Sequence, residues 1–287
     1  MNNSGYDYVE VCPAGCQSGF RETDIMTPEG PLKQCPECGH LVSRCSEDLY
    51  WKSMKEFDDP KGTLPSGTAA VRLLRHTKKL LKKIERLLGK NRKEIHLLDV
   101  GCSSGAFIST VGDLGVDAAG VEPSRGPVKT AIESGLKVYQ GYLNDIQFPG
   151  ESFDVVTLFE VIEHLKEPLG LIKECRRILR RGGLLVIRTG NADSWTVRFM
   201  KSRWDYFSIS EHGGHISFFT PQSIKKIAER SGFLVEDIKT RRVSFYKKVG
   251  VPAVCYRSAK LVAELLNRPA VWSGKGHELL AFLKKPY

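Results

Sequence analysis

The sequence has no apolar stretch long enough to form a membrane-spanning helix. Such a helix needs roughly 20 consecutive apolar residues, and the longest apolar run, residues 155–162, is interrupted by Thr157 and Glu160. The N-terminal residues also lack the basic and apolar segments of a secretory signal. We therefore expect a cytoplasmic protein without a membrane span.

Internal repeats and low-complexity tracts are absent as well, and the composition is that of an ordinary folded protein. Of the 287 residues, 41% are hydrophobic and 26% are charged, which excludes global disorder. A chain of this length forms one large domain or two smaller ones.

Acidic residues are outnumbered: 33 Asp and Glu stand against 43 Lys and Arg, a net charge of +10. Such a balance favours nucleic acid, an anionic membrane surface or an anionic substrate as a partner. The excess is concentrated between Arg72 and Glu94, where ten basic and two acidic residues give +8. Leucines spaced three and four apart in residues 68–90 predict an amphipathic helix whose other face is basic. We interpret that face as solvated, with an RNA-binding surface as the alternative.

Disulfide bonds are not expected, because no export signal accompanies the eight cysteines. Two knuckle-like pairs, CPAGC and CPECG, instead lie close together near the N-terminus. Thiolates at this short spacing, with glycines for tight turns, suit tetrahedral Zn²⁺. The predicted ligands of this structural zinc are Cys12, Cys16, Cys35 and Cys38. His40 and Cys45 are substitutes for one of the four.

The chain divides into three segments. Residues 1–48 form the zinc-ribbon-like segment, residues 49–94 hold a Pro- and Gly-rich linker (58–67) and the basic helix, and residues 95–287 form the main domain. There, short apolar runs alternate with helical stretches, which predicts an α/β fold with a parallel sheet. Strands are predicted at 95–100, 118–121, 137–140, 153–159, 184–188, 233–240 and 279–284. Helices are predicted at 105–115, 127–135, 168–181, 221–232 and 253–267.

A glycine-rich loop, LLDVGCSSG, follows the first strand of this domain. Gly101 and Gly105 let the backbone turn and approach a ligand at the start of a helix. The next strand ends at Glu122, whose carboxylate can bind both ribose hydroxyls of a nucleoside. This order of elements predicts a nucleotide-type cofactor. A dinucleotide-binding dehydrogenase is an alternative, although its loop has the closer G-x-G-x-x-G spacing.

The motifs LLDVGCSSG, VEPS, FPGESFDVVTLFEVIEHL and LRRGGLLVIRTGN resemble, in order and spacing, those of class I S-adenosylmethionine-dependent methyltransferases. The resemblance covers residues 95–285 and implies a Rossmann-like seven-stranded sheet with helices on both faces. Glu122 would bind the ribose, and Asp145 and Ile146 would border the adenine. Ser103 stands where many members carry a glycine. The cofactor-binding residues implied are Asp99, Gly101, Cys102, Gly105, Glu122, Asp145, Ile146 and Phe159.

Two carboxylates and an imidazole follow the fourth predicted strand. If the chain turns helically there, Glu160, Glu163 and His164 share one face, at the edge where parallel sheets bind ligands. His164 alone could remove the proton of an acceptor hydroxyl, since the ordinary pKa of histidine is ~6.5. Alternatively, the group holds Mg²⁺ or another divalent cation that lowers the pKa of the hydroxyl. A structural role is the third interpretation.

The motif EVIEH resembles the corresponding motif in two branches of the family, the ubiquinone-biosynthesis catechol O-methyltransferases and the small-RNA 2′-O-methyltransferases. In both, these residues are associated with a divalent metal, and the RNA enzymes add a later histidine, for which His215 is the candidate. Methyltransferases that act on sugars also carry the EVIEH motif, and in them a bound metal is not a constant feature. An aromatic-rich insertion at about residues 191–220 is predicted to cover the acceptor or to form a satellite core.

Together these features predict an S-adenosylmethionine-dependent O-methyltransferase. The expected acceptor is a small oxygen-rich molecule: a sugar, nucleotide-linked sugar or glycan, or a phenolic or quinol ring. One alternative is an RNA 2′-O-methyltransferase with a metal site, and another is a non-catalytic protein that binds partners through its zinc ribbon. The predicted catalytic residues, which are also the predicted ligands of the divalent cation, are His164, Glu163, Glu160 and His215.

Overall fold

Two β-sheets organise the residues that the computed structural model describes, which are 7–55, 64–209, 213–245 and 253–287, with the backbone alone for 253–260. The larger sheet has seven strands and the smaller one has four. Residues 58–63 of the predicted linker lie outside the described residues.

The elements follow the order predicted for an α/β domain, with short additions near the N-terminus and in the insertion. The strands are β1 (Arg21–Thr27), β2 (Gly30–Gln34), β3 (Leu41–Val42), β4 (His96–Val100), β5 (Asp117–Glu122), β6 (Val138–Gln140), β7 (Phe153–Phe159), β8 (Leu179–Gly190), β9 (Ser217–Phe218), β10 (Leu234–Arg241) and β11 (Glu278–Lys284). The helices are α1 (Glu47–Met54), α2 (Gly67–Leu88), α3 (Ala106–Asp113), α4 (Arg125–Glu133), α5 (Leu143–Ile146), α6 (Pro168–Ile178), α7 (Trp195–Met200), α8 (Pro221–Ser231) and α9 (Ala253–Trp272). Among the described helices, none has the length and apolarity needed to cross a membrane.

The larger sheet has the strand order β10-β11-β8-β7-β4-β5-β6. Strands β4 to β8 are parallel, whereas β11 is antiparallel to both β8 and β10. The chain runs outward from β4 to β6 and then returns to β7 on the other side of β4. Parallel sheets bind ligands at such a reversal, beyond the carboxyl ends of the strands. The predicted Rossmann-like sheet of seven strands is confirmed.

Alternate residues of the central strands build two cores, one on each face of the sheet. Leu97 and Val155 pack with α2 and α3 on one face. Their neighbours Leu98 and Val156 pack with α6 and α8 on the other. Because helices cover both faces, the central strands are nearly continuous apolar runs rather than alternating ones.

Helix α2 is the predicted basic amphipathic helix. It buries Leu81 against the sheet and leaves most of its basic residues exposed. Part of its charge is neutralised by acidic residues of the sheet, because Lys83 pairs with Asp237. Just beyond the helix, Lys90 pairs with Asp154 at 2.6 Å. Most of the basic residues of α2 therefore face solvent, whereas Lys83 and Lys90 pair with acidic residues of the sheet.

Helix α6 is shorter than predicted, and β8 is longer. The helix ends at Ile178 because Leu179 pairs with Phe153 of β7. Arg180 then donates to Asp154 at 2.8 Å, which holds this stretch in the sheet. Residues 179–183, predicted as the end of a helix and a turn, are therefore the start of the strand.

The aromatic-rich insertion supplies the fourth strand of the smaller sheet. Strand β9 pairs with β3, Phe218 opposite Leu41. Trp204 and Phe207 pack with Leu32 of β2 in a separate apolar cluster. The insertion and the N-terminal segment therefore share one satellite core, which was one of the two predicted roles of the insertion.

Candidate active site

The glycine loop lies between β4 and α3. Gly101 and Gly105 have φ values of +74° and +82°, which L side chains rarely adopt. A Cβ on Gly101 would lie 2.5 Å from Val161 Cγ2, and a Cβ on Gly105 would lie 2.4 Å from Leu136 Cδ1. Glycine is therefore required at both positions, and the loop presents backbone rather than side chains at the start of α3.

Glu122 ends β5, and backbone groups of two loops hold its carboxylate. The Ser103 N–H donates to Oε2 and the Ser124 N–H donates to Oε1, each at 2.9 Å. Ser103 itself has a φ of +49°, the left-handed conformation in which glycine is favoured. The structure thus places Glu122 directly against the loop that the sequence predicts to bind the cofactor.

Asp99 lies near the carboxyl end of β4, buried beneath the same loop. Thr157 Oγ1 donates to Asp99 Oδ1 at 2.5 Å. Burial raises the pKa of Asp99 to about 7, and the Thr157 hydrogen bond and the Arg188 charge only partly oppose this shift. The carboxyl group therefore titrates near neutral pH.

Cys102 contributes little side chain to the loop surface. Its Sγ faces β5 and would lie 2.4 Å from a Cβ on Gly120. Its N–H donates to the Val121 carbonyl at 3.2 Å. Burial raises the pKa of the Cys102 thiol, so this cysteine packs the loop onto the sheet as a small neutral residue.

The remaining residues predicted to contact the cofactor lie on either side of the loop. Phe159, at the end of β7, packs edge-on against Phe107 with ring centroids 5.0 Å apart. The Arg188 guanidinium lies over the same ring at 4.3 Å. Asp145 and Ile146 lie in α5, which follows β6, with Asp145 exposed.

The turn after β7 is a 3-10 turn over Ile162–His164 rather than a longer helix. Glu160 precedes this turn with a φ of +56°, so it does not continue the helical face expected for the three residues. Its Oε1 lies 3.4 Å from Arg188 Nε. Val161, between Glu160 and the turn, is the residue that packs on Gly101, which joins the turn to the glycine loop.

Glu163 is fully buried, and two hydroxyl groups hold its carboxylate. Thr189 Oγ1 donates to Oε2 at 3.0 Å, and Tyr206 Oη donates to Oε1. Tyr206 Oη also lies 3.1 Å from Glu160 Oε2 and accepts the Gly190 N–H at 2.9 Å. One phenol from the insertion therefore links both carboxylates to the end of β8.

The electrostatics of this cluster disfavour negative charge. Burial raises the pKa of Glu163 well above its ordinary value, and the neighbouring Glu160 raises it further. Burial likewise raises the pKa of Tyr206, with the charges of the two carboxylates adding to the shift. A cation beside Glu163 would stabilise its ionised form.

His164 and His215 complete the cluster, with ring centroids 4.6 Å apart. His215 Nδ1 lies 3.0 Å from the Tyr206 carbonyl oxygen. Because a carbonyl only accepts, Nδ1 carries the proton and the lone pair of the neutral ring is on Nε2. Tyr50 Oη, from α1, donates to the His164 carbonyl at 2.9 Å and so ties the N-terminal segment to this turn.

Three of the four predicted catalytic residues form a group that suits a metal ion. One ligand atom each from Glu163, His164 and His215 lies within 4.8 Å of the others, whereas Glu160 is outside this group. A carboxylate with two imidazoles suits Zn²⁺, Mn²⁺ or Fe²⁺ better than Mg²⁺, which prefers oxygen. Tyr206 is the site residue that the sequence does not reveal, since its only signal is membership of the aromatic-rich insertion.

A second group near the N-terminus brings together the four predicted zinc ligands. The sulfur atoms of Cys12, Cys16, Cys35 and Cys38 all lie within 4.8 Å of one another, and all four residues are buried. Gly39 has a φ of +69° and donates to the Cys35 carbonyl at 2.9 Å, forming a tight knuckle turn. Four sulfur ligands without an open position fit a structural Zn²⁺.

The two predicted substitutes lie outside this four-cysteine group. His40 Nε2 is 2.9 Å from Ser217 Oγ of β9, and the Cys45 thiol donates to the carbonyl of the next residue at 3.2 Å. The cysteine group instead contacts the main domain through Cys38, whose carbonyl accepts from Thr220 Oγ1 at 2.7 Å. Thr220 is the N-cap of α8, so the four-cysteine segment rests on the sheet domain.

Comparison with known proteins places this geometry in a family. The family described as a methyltransferase domain matches residues 73–238. A ubiquinone biosynthesis O-methyltransferase of Cereibacter sphaeroides is 33% identical over 150 residues, which cover 48% of this chain and 60% of that protein. One from Pseudomonas aeruginosa is 28% identical over 153 residues, covering 50% of this chain and 66% of that protein. The chain thus spans less than two thirds of the length of these relatives.

Solved structures share the fold. A SAM-dependent methyltransferase from Archaeoglobus fulgidus has a TM-score of 0.50 and 20% identity, covering 73% of this chain and 94% of that chain. Geranyl diphosphate C-methyltransferase from Streptomyces coelicolor has a TM-score of 0.52 and 12% identity, covering 84% of this chain and all of that one. Because the family match covers more than half of the sequence and includes the glycine loop, Glu122 and the Glu163 turn, the chain belongs to the class I S-adenosylmethionine-dependent methyltransferases.

Proposed function

We propose that the protein transfers a methyl group from S-adenosylmethionine to a hydroxyl of a small phenolic or quinol acceptor. The observation that carries this proposal is the group formed by Glu163, His164 and His215, next to the glycine loop at the carboxyl-end edge of the sheet. The names of the relatives, ubiquinone biosynthesis O-methyltransferases, support oxygen as the methyl acceptor.

On the cofactor side of the site, the backbone of the glycine loop and a few carboxylates are proposed to bind S-adenosylmethionine. S-adenosylmethionine supplies the methyl on a sulfonium and is released as S-adenosylhomocysteine. Glu122 has acceptor capacity beyond its two backbone donors and would accept the ribose hydroxyls. Gly101 and Gly105 allow close approach at the methionine end, above Asp99. Asp145 and Ile146 would border the adenine, Phe159 would contact the cofactor from the other side of the loop, and Cys102 acts only through packing.

The acceptor side would activate and align a hydroxyl. Its oxygen attacks the methyl carbon in line with the carbon–sulfur bond, and that bond breaks with its electron pair passing to sulfur. A divalent cation held by Glu163, His164 and His215 would lower the pKa of this hydroxyl. Glu160, half-exposed beside the group, is the carboxylate proposed to accept the proton. His164 acting alone as the base is the competing mechanism.

Tyr206 is proposed to position these ligands rather than to react. Its hydroxyl fixes Glu163, and its carbonyl fixes the tautomer of His215. Its ring also packs on the His215 ring, with centroids 4.3 Å apart. The insertion and the zinc-bearing N-terminal segment would thus form one cover over the acceptor, with the structural Zn²⁺ keeping that cover folded.

The test is methyl transfer from isotope-labelled S-adenosylmethionine by the purified full chain. The acceptors are catechol, phenol, a nucleotide-linked sugar and a short RNA, and products are identified by mass. We expect catechol to react at least about tenfold faster than phenol, because two adjacent hydroxyls can be held in one orientation. Glu163→Gln should suppress this transfer, whereas Glu167→Gln, at an exposed position nearby, should not.

Other outcomes of the same assay separate the alternatives. Preferred labelling of the sugar or of the RNA would contradict a phenolic acceptor and favour that substrate instead. S-adenosylhomocysteine binding without transfer to any acceptor would favour a non-catalytic role. Loss of activity on treatment with a chelator that leaves the cysteine-bound zinc in place would support the cation, and full retention would support His164 as the base.

A further inference from the structure

Arg188 lies near the carboxyl end of β8, on the face of the sheet that α2 and α3 cover. Asp99 of β4 is opposite Thr157 of β7, which in turn is opposite Val186 of β8. Because residues two apart on a strand point to the same face, Arg188 shares the face of Asp99 and lies closer to the carboxyl-end edge. Its guanidinium is 4.3 Å from the ring centroid of Phe159, one of the predicted cofactor-binding residues.

The Arg188 guanidinium keeps N–H groups that the described part of the chain does not use. Its charged partner is Glu160, whose Oε1 lies 3.4 Å from Nε, and 38% of the Arg188 side chain is exposed. The guanidinium makes no hydrogen bond to any residue that the structure describes. An arginine in this state can bind both oxygens of a carboxylate in a forked arrangement.

The glycine loop uses most of its own backbone donors within the chain. The N–H groups that already have an acceptor there are those of Gly101, Cys102, Ser103 and Gly105. The methionine end of S-adenosylmethionine carries a carboxylate and an ammonium, and a charged group that leaves water needs a partner. The carboxylate therefore needs a donor other than these four N–H groups.

We propose that Arg188 is a further cofactor-binding residue, whose guanidinium binds the α-carboxylate of S-adenosylmethionine. Asp99, the acid on the same face, would balance the α-ammonium, so that both charges of the amino acid meet a charge of opposite sign. Glu160 would stay paired with Nε, since the two terminal nitrogens of Arg188 carry enough N–H groups for a carboxylate. The inference rests on the cofactor side of the proposed function and is independent of the acceptor.

A role confined to Glu160 is the competing explanation. Arg188 would then only orient the carboxylate proposed to accept the proton, and its removal would leave the cofactor affinity unchanged. The geometry favours the cofactor, because the 3.4 Å between Nε and Glu160 Oε1 is longer than the about 2.7–2.9 Å of a charge-assisted hydrogen bond. The guanidinium lies instead over the ring of Phe159.

The test is the calorimetric affinity of the full chain for two ligands. S-adenosylhomocysteine has the carboxylate, whereas its decarboxylated analogue keeps the adenosine, the sulfur and the ammonium. We expect Arg188→Gln to weaken S-adenosylhomocysteine binding about 10- to 100-fold, because a charge-assisted pair of hydrogen bonds is lost. Binding of the analogue should be unchanged or tighter, since a positive charge near its ammonium has been removed. Methyl transfer is not measured.

Three further variants separate the possible roles of Arg188. Arg181→Gln is the matched control, because Arg181 lies at the opposite end of β8 and pairs through Nε with Glu151 Oε1 at 3.6 Å; it should bind both ligands as the wild type does. Arg188→Lys should lose part of the affinity for S-adenosylhomocysteine, because it keeps the charge without the fork. Glu160→Gln removes the ion-pair partner of Arg188 and should not weaken S-adenosylhomocysteine binding. Equal unfolding temperatures confirm that the variants fold.

Two results would overturn the proposal while leaving the proposed function in place. One is Arg188→Gln that binds S-adenosylhomocysteine as tightly as the wild type. The other is an equal loss for both ligands, or the same loss in Glu160→Gln, because Arg188 would then act through the fold or through Glu160. A wild type that binds neither ligand would contradict the proposed function and this inference together.

Discussion

Replacing Tyr206 by phenylalanine removes one hydroxyl from the centre of the candidate active site and keeps the ring. Glu163 Oε1 loses its phenol donor and the Gly190 N–H loses its acceptor. The packing of the ring on His215 and the hydrogen bond from His215 to the Tyr206 carbonyl are unaffected. The change therefore isolates the contribution of the hydroxyl.

The structure gives the expected size of the effect. A buried polar group left without its partner costs about 1–3 kcal/mol, and Tyr206→Phe leaves two such groups. We expect a loss of about 2–6 kcal/mol in the free energy of unfolding, the sum of the two. We also expect a roughly 10- to 100-fold weaker affinity for the divalent cation, because Glu163 is no longer held in its binding orientation.

Three measurements test this prediction: denaturant unfolding, cation affinity by calorimetry, and S-adenosylhomocysteine affinity, which should not change. Tyr139→Phe is the control, because no hydrogen bond found among the described residues involves its hydroxyl, while its ring packs on Phe148. An unchanged free energy of unfolding together with an unchanged cation affinity would refute the role of Tyr206.

Three further predictions concern the cofactor site, the buried aspartate and the zinc group. Glu122→Gln should raise the dissociation constant of S-adenosylhomocysteine roughly 10- to 100-fold in calorimetry, because it weakens the ribose contacts; unchanged affinity would exclude Glu122 from the cofactor site. Asp99 has a folded pKa of about 7, above the ~3.9 of an unfolded aspartate, so its ionisation destabilises the fold increasingly as the pH rises between these values. Asp99→Asn should therefore be as stable as the wild type near about pH 4 and more stable by up to about 4 kcal/mol at about pH 8; a difference that does not grow with pH would contradict the raised pKa. Cys38→Ser should lose the zinc and lower the unfolding temperature, whereas Cys45→Ser, outside the four-cysteine group, should keep the zinc, as metal analysis of the purified variants would show.

Local patterns account for most of the larger sheet. Strand β7 has the bounds that its apolar run predicts, β4 begins one residue later than predicted, and β5 is one residue longer than predicted at each end. The pairing of β3 with β9 has no such local signal, because it joins Leu41 to Phe218 across most of the chain. That contact depends on how the insertion folds back over the N-terminal segment.

The site likewise contains residues that the local sequence predicts and residues that only the tertiary fold brings together. Glycines after one strand and an acid at the end of the next predict Gly101, Gly105 and Glu122 directly, because the local strand and loop geometry sets the position of each. The positive φ of Glu160 is not encoded in any periodicity, and it is what takes Glu160 out of the helical turn that holds Glu163. Tyr206 reaches the two carboxylates only through the tertiary fold. Residues that act through long-range contacts are therefore the ones that spacing does not reveal.

The most direct test of cation-assisted methyl transfer to oxygen is the rate of catechol methylation as a divalent cation is added. The enzyme is first freed of weakly bound metal while its cysteine-bound zinc is retained, which metal analysis verifies. The rate should rise to saturation with the cation and should stay low for His215→Gln, whose S-adenosylhomocysteine affinity remains that of the wild type. Full turnover by enzyme that holds only the cysteine-bound zinc would contradict the proposed chemistry.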